Sequence, residues 1–209
     1  MVLNCANRSR ANNRENAIMN KSNLQRNIVE QIKEAQIKLG FAKEIIRLYY
    51  PVASLCALLE IDEISGTELV HQLEENDELK STMLGHIKFA LCKGERIEIQ
   101  IPVEGAVYVH EHIENPPFLI EIINLFSHGH TNEEENEGVH HGITIDDICA
   151  CFAKYNSSYI CEKMSPDTDF DYVLYFPNKE PDEWYYCVKF EMNHAIYHRF
   201  TYTDYKNLL

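Results

Sequence analysis

The chain has 209 residues, of which 45% are hydrophobic, and a formal net charge of −14. The hydrophobic fraction is that of a folded globular protein and excludes a disordered or fibrous chain. The negative charge disfavours nucleic acid as a partner, because broad phosphate contacts require clustered Lys and Arg.

Cysteine usage and hydropathy indicate an intracellular setting. The seven cysteines are an odd number spread along the chain, whereas a disulfide scaffold is shorter and denser in cysteine, so we expect reduced thiols. No run approaches the roughly 18 apolar residues needed to span a bilayer. Residues 1–17 also lack the apolar core of a signal peptide. We therefore expect a cytoplasmic protein that does not enter the membrane.

The N-terminal region divides into a tail and a helix–strand–helix segment. Residues 1–21 are rich in Asn and Arg, a composition that predicts a disordered tail. An apolar stripe with helical spacing follows, and it predicts a helix that Ser22 caps and Gly40 ends. β-branched and aromatic residues at 44–50 predict a strand, after which Pro51 opens a second helix.

The middle of the chain changes its hydrophobic period. Ser65 is placed to cap a short helix. Residues 87–101 alternate between apolar and polar on either side of a turn, which is typical of a β-hairpin. Residues 106–113 are predicted to add a further strand, and the apolar segment 118–126, which follows two prolines, predicts a buried helix.

The last third begins with a composition break. Residues 127–142 are polar, acidic and His-rich with glycines near both ends, which indicates a mobile loop. Thr144 and Asp147 form a capping-box pattern before another helix. From Tyr159 onward the period is mostly two, which predicts a C-terminal antiparallel sheet.

These elements indicate an α+β fold, with N-terminal helices around one strand, a central β-hairpin and a C-terminal antiparallel sheet. We expect residues 22–209 to form a single domain. Two domains divided at residues 127–142 are the structural alternative.

Two His-x-His pairs are the candidate metal ligands. His110 and His112 lie on the predicted strand at 106–113, where alternation would place both imidazoles on one side. His128 and His130 lie in the predicted loop. Imidazole ligands suit zinc, so zinc is the candidate cofactor if the two pairs converge. A loop alone offers little rigid support for a metal, and ordinary surface histidines are the simpler interpretation.

The predicted C-terminal sheet is rich in aromatic residues, and these are the candidate ligand or partner contacts. Because the aromatics lie on alternating strands, some of them must face outward. We single out Tyr185, Tyr197 and Tyr202 as candidate binding residues. Core packing together with β propensity is the alternative explanation.

No catalytic motif of useful specificity is present. The glycines do not form a GxGxxG or P-loop pattern, and GxSxG is absent. The sequence therefore favours a non-enzymatic protein that binds another protein or a small molecule. A metal-binding protein or metal-dependent hydrolase that uses the His-x-His pairs is the alternative.

Three segments resemble a family of uncharacterised bacterial proteins. They are KEAQIKLGF at 33–41, IRLYYP with the following SLCALL at 46–59, and MNHAIYHRF at 192–200. The resemblance extends from about residue 22 to the end of the chain. It implies a bacterial cytosolic setting, and it assigns no activity and no catalytic residue.

Overall fold

The computed structural model of the chain describes residues 20–128, 142–191 and 194–209. The chain divides into two compact units. The first contains the chain up to Ile32 together with Lys43–Val109, and the second contains Lys33–Ala42 together with His110–Leu209. Residues 1–19 of the predicted tail lie outside the described residues, as does most of the predicted loop at 127–142.

The described residues form helices and antiparallel sheets, which confirms the predicted α+β class. The elements up to the end of the central sheet and its following helix are α1 (Lys21–Leu39), β1 (Ile46–Pro51), α2 (Val52–Leu59), α3 (Gly66–Glu74), α4 (Asp77–Lys80), β2 (Ser81–Thr82), β3 (Gly85–His86), β4 (Lys88–Cys92), β5 (Arg96–Ile101) and α5 (Val103–His112). The remaining elements are α6 (Pro117–His128), α7 (Ile145–Tyr155), β6 (Ile160–Lys163), β7 (Tyr172–Tyr175), β8 (Tyr185–Glu191), β9 (His194–Phe200) and α8 (Tyr202–Lys206). These helices are too short or too polar to span a lipid bilayer.

The first unit contains the central sheet, in which the antiparallel strands have the order β1-β5-β4. Ile97, Ile99 and Ile101 of β5 are fully buried on one face. Arg47 and Glu98 lie on the other face, where the Arg47 Nε is 3.1 Å from a Glu98 oxygen. The predicted hairpin is therefore confirmed, and its alternation separates an apolar face from a polar one.

Helix α1 begins earlier than predicted, and Ser22 is not its cap. The Asn20 side-chain oxygen accepts the N–H of Asn23 at 3.2 Å, so Asn20 satisfies a first-turn donor. Asn and Ser are equally good caps, and the local pattern alone does not choose between neighbouring candidates. The predicted end is confirmed: Gly40 has a φ of 83°, and its N–H donates to the Gln36 carbonyl at 3.0 Å.

The prediction of a strand at residues 106–113 is wrong. Apart from its last residue, this segment lies in helix α5, whose buried residues are Gly105, Ala106 and Val109. That spacing follows a helix rather than the alternation of a strand. Gly105 allows the close approach of Leu84, because a Cβ at this position would lie 2.3 Å from the Leu84 carbonyl oxygen.

The second unit contains the predicted C-terminal sheet, with antiparallel strands in the order β6-β7-β8-β9. Helices α6 and α7 pack on one face, which we call the helical face. Phe118 of α6 and Phe152 of α7 meet there with ring centroids 4.9 Å apart. The buried cluster on this face is formed by Phe118, Leu119, Ile122, Ile123, Ile148, Cys151, Phe152, Leu174, Phe176, Trp184, Tyr186 and Val188. Thr144 caps α7 in a complete capping box with Asp147, as predicted.

The opposite face of this sheet carries the short helix α8, and we call it the α8 face. Its buried cluster is smaller and consists of Met164, Val173, Cys187 and Tyr205. Partly buried aromatic residues surround this cluster, namely Phe170, Tyr175, Tyr185 and Phe200. The C-terminal sheet therefore has apolar side chains on both faces.

The boundaries between the two units fall near residues 32, 42 and 109. That residues 22–209 form a single domain stays a prediction, as does the alternative of two domains divided at residues 127–142.

Candidate functional site

The register of β8 and β9 places the three candidate tyrosines on two different faces. Tyr185 is opposite Phe200, whereas Tyr197 is opposite Val188. Since directly opposite residues point to the same face, Tyr185 lies on the α8 face and Tyr197 on the helical face. Tyr202 lies with Tyr185, at a centroid separation of 5.7 Å. The structure therefore brings two of the three candidates together.

Tyr197 is occupied by contacts within the second unit. Its hydroxyl donates to Glu34 at 3.1 Å, and the Lys38 ammonium lies 4.3 Å from its ring centroid. The Phe126 ring packs edge-on at 4.6 Å. Burial raises the pKa of Tyr197, and the adjacent Glu34 carboxylate raises it further. Tyr197 thus holds the C-terminal part of α1 against the sheet.

Arg199 lies beside Tyr197 at the centre of a buried ion network. Its side chain is 3% exposed, and its Nε is 2.9 Å from a Glu34 oxygen. Its Nη1 lies 3.8 Å from an Asp182 oxygen, and its guanidinium stacks 4.5 Å from the Trp184 ring. Asp182 also accepts the Tyr186 hydroxyl at 2.9 Å.

The two carboxyl groups that face Arg199 have pKa values shifted in opposite directions. Burial opposes ionisation of Glu34, but the charges of Arg199 and Lys38 outweigh it and lower the pKa of the carboxyl. Asp182 is more deeply enclosed, and burial raises its pKa despite the nearby Arg199. Groups with perturbed pKa values occur both in functional sites and in structural networks. With Arg199 almost entirely enclosed, the structural role is the one that the geometry favours.

The α8 face presents four tyrosines that we call the tyrosine cluster: Tyr175, Tyr185, Tyr202 and Tyr205. Tyr185 stacks against Tyr175 at 4.5 Å and against Tyr205 at 4.7 Å. Tyr205 is 8% exposed, so it anchors α8 to the sheet. These stacked rings form a fixed aromatic base, since each is held by its neighbours.

Tyr202 is the open member of the tyrosine cluster. It is 55% exposed, and Ile196, which points to the same face, is 44% exposed. Helix α8 presents Tyr202 and Lys206 one turn apart, and the Lys206 ammonium lies 5.6 Å from the Tyr202 ring centroid. Thr201 fixes the start of this helix by accepting the Asp204 N–H at 3.2 Å.

Glu162 contributes a carboxylate at the edge of the tyrosine cluster. It is exposed and lies opposite Val173, a member of the buried cluster on the α8 face. Burial raises the pKa of Tyr175 and of Tyr205, and the nearby Glu162 carboxylate raises both further. The tyrosine hydroxyls therefore stay protonated at neutral pH, and each keeps an oxygen that can accept a hydrogen bond.

Of the residues in and beside the tyrosine cluster, the sequence analysis singled out Tyr185 and Tyr202 but not Tyr175, Tyr205 or Glu162. The sequence does contain a pattern that includes Glu162, because this residue lies in the strand-like segment YICEKM, where side chains alternate between two faces. The position of Tyr205 three residues after Tyr202 is also consistent with one helical turn. Neither pattern shows that the side chains meet, because that depends on the pairing of β6 with β7.

The structure places the two His-x-His pairs in different ways. His110 and His112 lie on helix α5, where residues two apart point in different directions, and the His110 ring stacks on Phe41 at 4.1 Å. The backbone of His128 ends α6, but its side chain is outside the described part of the chain, as is all of His130.

Within residues 20–128, 142–191 and 194–209, no group of three or more His, Cys, Asp or Glu side chains is arranged to hold a metal ion. Because the second pair falls outside those residues, the zinc site stays a prediction.

The fold and the tyrosine cluster together define an α+β protein whose C-terminal sheet is aromatic on both faces. A family model described as "Domain of unknown function, E. rectale Gene description (DUF3877)" matches residues 21–209. The chain therefore belongs to this bacterial family, which confirms the resemblance seen in the sequence. Comparison with curated proteins and with solved structures produced no match.

Proposed function

We propose that this member of the DUF3877 family is a non-enzymatic binding protein of the bacterial cytoplasm. Its binding surface is the α8 face of the C-terminal sheet, centred on the tyrosine cluster. The observation that carries the proposal is the 55% exposure of Tyr202 next to a base of stacked tyrosines.

Two properties of this surface support a binding role. Tyrosine combines a large apolar ring with a hydroxyl that hydrogen-bonds, and it is enriched at protein interfaces. The stacking of Tyr185 on Tyr175 and Tyr205 also fixes the rings before a partner arrives. A partner therefore has little side-chain entropy to remove on binding.

The exposed apolar groups on this face are not required to close a core. Tyr202 and Ile196 both lie outside the buried cluster of Met164, Val173, Cys187 and Tyr205. Both groups therefore remain accessible to a partner on this face.

The test compares immobilised wild type with the double variant Tyr202→Ala and Ile196→Ser, using both a bacterial lysate and a metabolite library as sources of ligand. Tyr49→Ala is the matched control, because Tyr49 is 52% exposed but lies on the central sheet. We expect a bound species that wild type and Tyr49→Ala retain and that the double variant loses. Binding that the double variant leaves unchanged would contradict the proposal, as would turnover of a substrate by the purified protein.

A further inference from the structure

We infer that Cys149 and Cys161 are a redox-sensitive pair whose thiols join in a reversible disulfide when a low-molecular-weight disulfide, such as oxidised glutathione, reaches them. Both residues pack against the buried cluster of the helical face. The inference is therefore independent of the binding surface proposed on the α8 face.

The pairing of β6 with β7 directs Cys161 toward the helices. Cys161 lies opposite Leu174, and Leu174 belongs to the buried cluster of the helical face. Since directly opposite residues point to the same face, Cys161 points to the side on which α7 packs. Cys149 belongs to α7, so the two thiols come from elements that face each other.

A ring contact aligns α7 with β6. Phe152 of α7 and Tyr159, which immediately precedes β6, have ring centroids 6.0 Å apart. The chain reverses between them through a turn in which the Tyr159 N–H donates to the Asn156 carbonyl at 3.2 Å. Cys149 lies one helical turn before Phe152, and Cys161 lies two strand residues after Tyr159, which are steps of about 5 Å and about 7 Å. Because the two steps run in the same direction, the cysteines meet next to the rings.

The side chains of this group are in contact. The Cys161 thiol and the Tyr159 hydroxyl each form a hydrogen bond with Cys149. Burial raises the pKa of Cys161 to about 12, and the hydrogen bond with Cys149 adds to this effect. Two sulfurs in hydrogen-bonding contact need only a small side-chain movement to reach the length of an S–S bond, about 2.0 Å.

Both members of the pair are partly exposed, so a small oxidant can reach them. The other cysteines in the described part of the chain lack this combination of access and partner. Cys56, Cys151 and Cys187 are buried. Cys92 lies on the central sheet, where its sulfur is 3.6 Å from a Glu98 oxygen. An accessible thiol beside a second thiol is the usual arrangement of a redox sensor, and most cytosolic disulfides are transient ones of this kind.

The reaction consists of two thiol–disulfide exchanges. One protein thiolate attacks a sulfur of oxidised glutathione, which forms a mixed disulfide and releases one glutathione thiolate. The neighbouring protein thiol then loses its proton and displaces the second glutathione. Overall, two protein S–H bonds are replaced by one S–S bond, and oxidised glutathione is reduced to two glutathione molecules that take up the protons. A dithiol reductant reverses both exchanges.

The test treats the reduced full chain with oxidised glutathione, alkylates the remaining thiols and digests the product with trypsin in the absence of reductant. Cleavage after Lys154 separates Cys149 from Cys161, so mass spectrometry detects the disulfide as a link between two peptides. We expect this link to be the main product and to disappear on treatment with dithiothreitol. The link should also raise the midpoint of thermal unfolding by about 5 °C, because it restricts the unfolded chain.

Three variants separate this pair from cysteines in general. Cys149→Ser and Cys161→Ser should each lose the link, and both replace partly exposed side chains, so we expect them to fold. Cys151→Ala is the matched control and should keep the link, because Cys151 shares the tryptic peptide of Cys149 but is only 6% exposed. Fragment-ion sequencing of the linked wild-type peptides also assigns the link to Cys149 or to Cys151 directly.

Several results would overturn the inference. One is a link that persists in Cys149→Ser or that fragment ions assign to Cys151. Another is oxidation that yields only mixed disulfides with glutathione, or links through Cys5 and Cys92 in equal yield. A lowered midpoint of unfolding in the linked chain would also count against it, because it would show that the two sulfurs meet only when the fold is distorted.

Discussion

The two main sheets of this protein differ in what their second face carries. In the central sheet, β5 buries Ile97, Ile99 and Ile101 on one face, while the other face holds the Arg47–Glu98 ion pair. In the C-terminal sheet, Tyr186 is buried on the helical face, and Tyr185, its neighbour in sequence, stacks on the α8 face. A sheet with one apolar face needs one covering layer, whereas a sheet with two needs a second layer.

The second layer of the C-terminal sheet is incomplete. Helix α8 has five residues, and among its tyrosines Tyr205 is buried whereas Tyr202 remains 55% exposed. Exposed apolar side chains therefore remain on the second face of the C-terminal sheet, and they are the basis of the proposed binding surface.

The largest expected effect concerns the helical face of the C-terminal sheet. Phe118 is 2% exposed and packs edge-on against Phe152, Tyr155, Phe176 and Tyr186. Replacing it with Ala removes these contacts and leaves a cavity, so we expect a loss of about 4 kcal/mol in the free energy of unfolding. Urea denaturation measures the change, and Ile196→Ala on the exposed face is the control. A loss below about 1 kcal/mol would show that the helical face is not the main core of this unit.

The next effect compares an enclosed ion pair with an open one. Arg199→Met leaves Glu34 and Asp182 without their enclosed partner, and we expect a loss of about 3 kcal/mol. Arg47→Met breaks the pair with Glu98 on the central sheet, where the Arg47 side chain is 52% exposed, and we expect a loss below about 1 kcal/mol. Chemical denaturation of both variants in one buffer gives the comparison. Equal losses would mean that burial does not set the strength of these pairs.

A smaller effect is the contribution of Glu34 to the pH dependence of the free energy of unfolding. Its pKa lies below the ordinary value of 4.5 in the folded chain, because Arg199 and Lys38 outweigh the opposing effect of burial. Its contribution to stability is therefore present above pH 4.5 and is lost as the pH falls through the lower folded value. Asp182 acts with the opposite sign, because its raised pKa favours the fold at low pH and loses that contribution as the pH rises.

The measurement is the difference in unfolding free energy between wild type and Glu34→Gln across the acid range. We expect this difference to shrink as the pH is lowered below 4.5. A difference that does not change with pH would contradict the ionised pair.

The smallest expected effect is the change in the free energy of unfolding when either of two exposed tyrosines is replaced. Tyr202→Ala and Tyr49→Ala remove rings that are 55% and 52% exposed, and we expect each to change the free energy of unfolding by no more than about 0.5 kcal/mol. Thermal unfolding monitored by circular dichroism provides the check. A much larger loss in Tyr202→Ala would show that its ring supports the fold, and the binding role would lose its basis.

The sequence predicted most of the helices and strands because their local signals agree with their packing. The alternation at residues 87–101 specifies the hairpin of β4 and β5. Thr144 and Asp147, three residues apart, form the capping box of α7. The strand prediction for residues 106–113 failed because Val, Tyr and His residues there follow a strand-like pattern. The residues that are buried, Gly105, Ala106 and Val109, have helical spacing instead. Intrinsic β propensity was overridden by tertiary context.

The arrangement of the candidate residues could be predicted only in part, because it depends on long-range pairing. A period of two shows that Tyr185 and Tyr186 face opposite sides, but not which side a helix covers. The contact of Tyr197 with Glu34 joins residues 163 positions apart, and no local pattern reports it. No local pattern marks Arg199 as buried, because arginine is seldom enclosed unless it is paired.

The most direct test of the binding surface is a chemical-shift map of the isotopically labelled chain during titration with the species that immobilised wild type retains. We predict that the perturbed amides cluster at Tyr175, Tyr185, Tyr202 and Ile196 on the α8 face, while those around Tyr49 on the central sheet stay unchanged. Perturbations centred on the central sheet, or none at a saturating concentration of that species, would contradict the account.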